Sequence, residues 1–235
     1  MRNLTKAGIV LVACCLAGGA GGCKKDPQAE LERASAPYKP GAASRIERLK
    51  ALAPTMKAAA PVAGDGIALE GGNPVSVGSA TAFDAINAGY LYEEDLGDIA
   101  APHTKAPFPV DRDMLFGKCG AQLAGRGFTP AHQQVQLYKN CGNAKYAVLV
   151  RTTKSQAPVV NDAEKTFTPG MVAGEVHVWN LDSGKRLGGF RFSVASDDRV
   201  KVDTRGLAGG TREVTNDLAI KMDLAIKDGL AKFAR

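Results

Sequence analysis

Aromatic side chains make up only 6% of this 235-residue chain, with a single tryptophan, and histidine occurs three times, at His103, His132 and His177. No two histidines are close in sequence, and there is no C-x-x-C pair. A zinc site assembled from Cys119, His132 and Cys141 therefore lacks a fourth ligand and the usual spacing. There is no G-x-S-x-G turn to expose a nucleophilic serine, and Ser79 in Gly78-Ser79-Ala80 is a weaker match. No P-loop or G-x-G-x-x-G cradle is present, and Gly125-Arg126-Gly127 does not open a strand-to-helix turn. The acidic group Glu93, Glu94, Asp95 and Asp98 lacks the alternating acids and turn glycine of a calcium loop, and reads as a solvated turn. No residue is assigned to catalysis or to a metal, and no cofactor is implied.

Long apolar runs are also missing. A membrane-crossing helix needs about 20 apolar residues. The uncharged run from Ala7 to Cys23 has 17, with four glycines among its last six. What remains is a globular composition, 45% hydrophobic and 23% charged, which supports one core. The formal charge of +6 falls to +4 once Arg2 and Lys6 leave with residues 1–22. That balance is too mild to point to nucleic acid.

Arg2 and Lys6, the uncharged stretch behind them, and the small residues Ala20-Gly21-Gly22 before Cys23 have the layout of an export signal. The segment resembles the lipobox of bacterial lipoproteins. The resemblance implies cleavage before Cys23, acylation of that cysteine, and a bilayer as the first partner. Ordinary secretory cleavage after Ala20 is the competing reading. Cys14 also follows a lipobox-like Leu11-Val12-Ala13, but only seven residues separate it from Lys6. Lys24, directly after the cysteine, implies the outer membrane facing the periplasm, by the same resemblance. Of the five cysteines, Cys14 and Cys15 lie in the signal, which leaves Cys119 and Cys141 as an even pair in an exported domain and predicts a disulfide.

Three segments are expected: a signal over 1–22, a tether of alanine, proline and charge over 23–66, and a periplasmic domain over 67–235. Residues 24–43 offer little to bury and are expected to be disordered. Ile46, Leu49, Leu52 and Met56 recur at helical spacing, so a short helix is expected there, docked or free, interrupted at Pro54. In the domain, Ala88–Tyr92 reads as a strand, 111–123 as a helix, and Thr129-Pro130 as the start of a second helix running to about Asn140. Cys119 and Cys141 meet if these helices form a hairpin. Lys145–Thr153 alternates apolar residues on both faces and reads as a central strand. Gly174–Leu181 and Arg186–Ala195 flank the turn Asp182-Ser183-Gly184-Lys185 and form a hairpin. Val214, Leu218, Met222, Ala225, Gly229 and Phe233 mark a long amphipathic helix. The order predicts an α+β fold: an antiparallel sheet of about four strands, helices mainly on one face, and a C-terminal amphipathic helix.

The hairpin with Asp182, Gly184, Lys185 and Leu187, together with the terminal helix, resembles periplasmic domains of lipoproteins that activate cell-wall synthases or support secretion. The resemblance carries no residue roles with it. It implies a non-enzymatic domain that contacts an unknown envelope protein. The rival readings are a small-molecule or glycan binder, which predicts a pocket lined by Trp179, Tyr90 and Tyr92, and a hydrolase built on the acidic group.

Overall fold

The structure, a computed structural model, describes residues 27–69, 74–78, 86–100, 114–127, 129–161, 166–197 and 209–233. The signal, Cys23, Ser79 and His103 lie outside the described residues.

Helices α1 (Pro27–Ser35) and α2 (Lys39–Lys57) open the fold, joined by a 3-10 turn at Ala36–Tyr38. Then come β1 (Gly66–Ile67), β2 (Ala88–Tyr92), α3 (Leu115–Leu123), α4 (Ala131–Asn143) and β3 (Tyr146–Gln156). A small hairpin, β4 (Val159–Asn161) with β5 (Thr166–Thr168), precedes β6 (Met171–Asn180), β7 (Arg186–Ala195) and α5 (Gly209–Phe233).

The main sheet has five strands in the order β1-β7-β6-β3-β2. The class is α+β, as the element order predicts. The sheet itself is mixed: β2 pairs parallel to β3, with Tyr90 opposite Val148, while the other pairings are antiparallel. The reason is the helical pair α3–α4 between β2 and β3, which carries the chain back to the starting end of the sheet before the next strand begins.

The strand alternation sorts the core into two layers. Tyr90, Tyr92, Tyr146, Val148, Val150, Val176, Val178 and Phe190 pack under Leu218, Met222, Ile226 and Leu230 of α5. Ala147, Leu149, Trp179 and Leu181 pack on the opposite face under α2, α3 and α4. Among the described residues, three helices thus cover one face and α5 the other.

The tether expectation is corrected at α2. Ala42, Leu49 and Met56 are completely buried, and Ile46, Leu52 and Ala53 nearly so. Its apolar stripe is part of the core, so the helix expected over 46–56 is docked, and residues 27–43, expected to be disordered, are helical. An Ala-rich sequence suffices because α2 meets α4 at small residues: a Cβ on Gly142 would lie 3.3 Å from the Ala42 nitrogen. Pro54 sits inside the last turns without ending the helix, although its ring nitrogen cannot donate the i→i−4 bond to the Lys50 carbonyl.

Candidate functional site

Two buried ionisable side chains, Glu175 and His177, lie where α2 ends. Strand alternation on β6 turns Glu175, His177 and Trp179 toward the helical layer, opposite Val176 and Val178. Across the ladder, Arg151 of β3 stands in register with Glu175. Arg151 Nε donates to Glu93 Oε2 at 3.0 Å, and its Nη1 lies 3.9 Å from Glu175 Oε2. Glu175 Oε2 is 3.2 Å from His177 Nε2. The result is a row of alternating charge, Glu93, Arg151, Glu175, ending on a histidine with no solvent exposure.

A strap of chain, residues 58–65, closes over this row. Arg151 donates to the carbonyls of Ala59 (3.0 Å) and Lys57 (3.2 Å), and Arg186 to that of Ala60 (2.6 Å). The Val62 N–H donates to Glu175 Oε1 at 3.1 Å, and the Arg191 N–H to Asp65 Oδ1 at 3.2 Å. The strap is therefore held by side chains reaching from three strands, where an extra strand would use backbone partners. Val62, 4% exposed, plugs it from above.

Burial pushes the His177 imidazole below its ordinary range; Arg186 and Arg151 push the same way, and Glu175 opposes them. The ring is neutral at physiological pH. Among the described residues, its buried Nδ1 and the buried Nε1 of Trp179 have no hydrogen-bond partner. A glutamate holding a histidine is the orienting half of a proton-transfer relay. Here both lie beneath the strap, and the chemistry the arrangement performs in this state is clamping: it binds the chain leaving α2 to the sheet.

Beyond the strap the sheet face is open. A depression of about 350 Å3 lies there, lined by Thr153, Ala173, Glu175, Arg191 and Ser193. A second, of about 360 Å3, lies beside α2 at Ser44, Arg45, Arg48 and Asp182. Its charges are paired: Arg45 meets Asp182 at 2.7 Å, and Arg48 donates to the Leu181 carbonyl at 3.0 Å.

The aromatic binding surface expected from sequence is corrected. Trp179 is 4% exposed, Tyr90 4% and Tyr92 1%. They sit on opposite faces of the sheet, the tryptophan under the helices and the tyrosines under α5, because both layers draw their few large side chains into the core. Cys119 and Cys141 are joined by a disulfide, Cα to Cα 6.4 Å, between α3 and α4. His132 is exposed. Among the described residues no group of three or more His, Cys, Asp or Glu side chains is placed to hold a metal.

The acidic group is dispersed by its partners. Glu93 belongs to the clamp, Asp95 is buried, and Asp98 pairs with Arg126 at 3.4 Å, which holds its carboxyl below the usual range. Glu94 is pushed upward, chiefly by partial burial. The clamp itself had a visible trace in the sequence, Glu175 and His177 alternating with valines on a strand. Its partners Arg151, Glu93, Ala59 and Lys57, 24 to 118 positions from Glu175, had none.

Comparison with protein-family models, with curated proteins and with solved structures finds no match.

Proposed function

We propose that the mature chain is a lipid-anchored, non-enzymatic domain of the bacterial cell envelope, held to the membrane through acylated Cys23 and acting by contact with another envelope protein. The observation that carries the contact reading is on the outer side of α5. Ile220 and Leu224 lie one turn apart and are 59% and 54% exposed, although the buried side of the same helix is already complete. Val159 of β4, which α5 touches, is 62% exposed. Large aliphatic side chains grouped on one exposed side favour a protein partner. The aromatic-lined pocket that the binder reading requires is not formed by Trp179, Tyr90 and Tyr92, which are consumed by the core.

The test is a photo-crosslinking side chain placed at position 220 or 224 in intact cells. The expected outcome is an adduct with one reproducible envelope protein, lost when the neighbouring position is charged (Leu224→Glu with the probe at 220, Ile220→Glu with the probe at 224) while the melting temperature is kept. Absence of any protein adduct from both positions sinks the contact reading. The anchor is tested separately: Cys23→Ser should abolish lipid labelling and release the protein from membranes.

A further inference from the structure

The distribution of charge along the chain is uneven in a way that bears on the membrane itself. Residues 24–57 hold eight basic and four acidic side chains, whereas residues 58–235 hold twenty of each. The entire excess positive charge of the mature chain thus lies on α2, which holds five basic side chains against one acidic, while α1 and the three residues before it sum to zero. Those residues follow Cys23 directly, and four extended residues reach at most about 14 Å.

On α2, Lys39, Lys50 and Lys57 are all exposed. They are spaced by 11 and 7 residues, close to three and two whole turns, so they form one line along the helix flank. Ala42, Leu49 and Met56 on the neighbouring side fix the helix against the sheet, so this line cannot rotate away. Arg45 and Arg48, on the other flank, are turned to Asp182 and the Leu181 carbonyl.

We propose that α2 is a membrane-facing foot whose lysine line lies against anionic phospholipid headgroups. An acyl anchor combined with a basic patch is a two-signal arrangement in which each basic side chain near an anionic surface adds to binding. The orientation rests on the reading of Cys23 as the anchor, but the headgroup contact does not need the acyl chain. Fixed end and fixed face together give the domain one orientation on the bilayer.

The chain from residue 23 carrying Cys23→Ser is floated with vesicles of phosphatidylcholine alone, or with about a third phosphatidylglycerol. Binding to the anionic vesicles should exceed binding to the neutral ones by roughly tenfold or more at ~0.1 M salt and vanish at ~0.5 M. Lys39→Glu/Lys50→Glu/Lys57→Glu should remove it. Lys154→Glu/Lys227→Glu/Lys232→Glu, which changes net charge equally on other elements, should retain most of it. Equal binding to neutral vesicles, no binding to either, or equal loss in both triple variants overturns the proposal. Because no acyl chain is present, none of these outcomes bears on the anchor, which is read from lipid labelling of Cys23 in cells.

Discussion

A histidine with no solvent exposure, flanked by two arginines and one glutamate, sets a pH dependence whose sign is fixed. The folded His177 has its pKa lowered from 6.5, first by burial and then by Arg186 and Arg151, so the unfolded chain takes up its proton at higher pH than the folded chain. Stability from this group is fully present above the unfolded value of about 6.5 and is lost as pH falls through it toward the folded value. The urea midpoint should be level between about pH 8 and 7 and decline toward pH 5. His177→Gln should flatten that slope whatever it does to the absolute midpoint. Glu94, raised chiefly by burial, contributes with the opposite sign, and comparing the two proteins subtracts it. A wild-type midpoint that rises on acidification would show the imidazole to be better solvated than the geometry gives. At this scale the sequence revealed which face of β6 carries Glu175, His177 and Trp179, since alternation is a local property. It could not reveal that Arg151 ties them to Lys57, Ala59 and Glu93, because that depends on which strands become neighbours.

Elements with local signals were legible. β2 and β7 have the bounds their alternation indicates, and the β6–β7 hairpin turns at Asp182-Ser183-Gly184. On α5 the ion pairs Asp217–Lys221 and Asp223–Lys227 form at i, i+4, while Ile226 and Leu230 join Leu218 and Met222 in the buried stripe. The α3–α4 pairing was legible through its cysteines, which are 22 residues apart and wholly buried. Because α2 packs over them, with the Ala42 carbonyl 3.8 Å from Cys141 Sγ, the bridge is shielded as well as formed. Replacing both cysteines by alanine should lower unfolding free energy by about 3 kcal/mol through the added freedom of the unfolded chain. Equilibrium urea denaturation reads this directly; a loss under about 1 kcal/mol would mean that α2 and α4 fix the hairpin without the bridge. α2 was legible as a short helix over Ile46 to Met56 but not as core. Its composition resembles a linker, and the features that make it core, a stripe of Ile, Leu and Met beside a glycine-to-glycine approach with α4, have meaning only once α4 is in place.

For the molecule as a whole, moving α2 from linker to core changes where the domain begins. Ile46, Leu49, Leu52 and Met56 each remove on the order of 1.5 to 3 kcal/mol of apolar exposure. Together they are comparable to the roughly 5 to 15 kcal/mol that separates folded from unfolded domains. A chain starting at Pro61 loses that contribution and also uncovers Trp179, Leu181, Ala147 and the disulfide, which α2 helps to bury. It also loses the carbonyls of Lys57, Ala59 and Ala60, leaving Arg151 and Arg186 short of partners. Such a chain should show no cooperative thermal transition, whereas one starting at residue 24 should melt as a single unit. If 23–66 were only a tether, both would melt alike, so the pair of melting curves decides between the two descriptions. Adding a peptide of residues 27–60 to the shortened chain should restore a transition in a concentration-dependent way, since the same contacts would then form between two molecules. Failure of that rescue, with the shortened chain still unfolded, would place the loss in misfolding of the remainder rather than in the missing contacts.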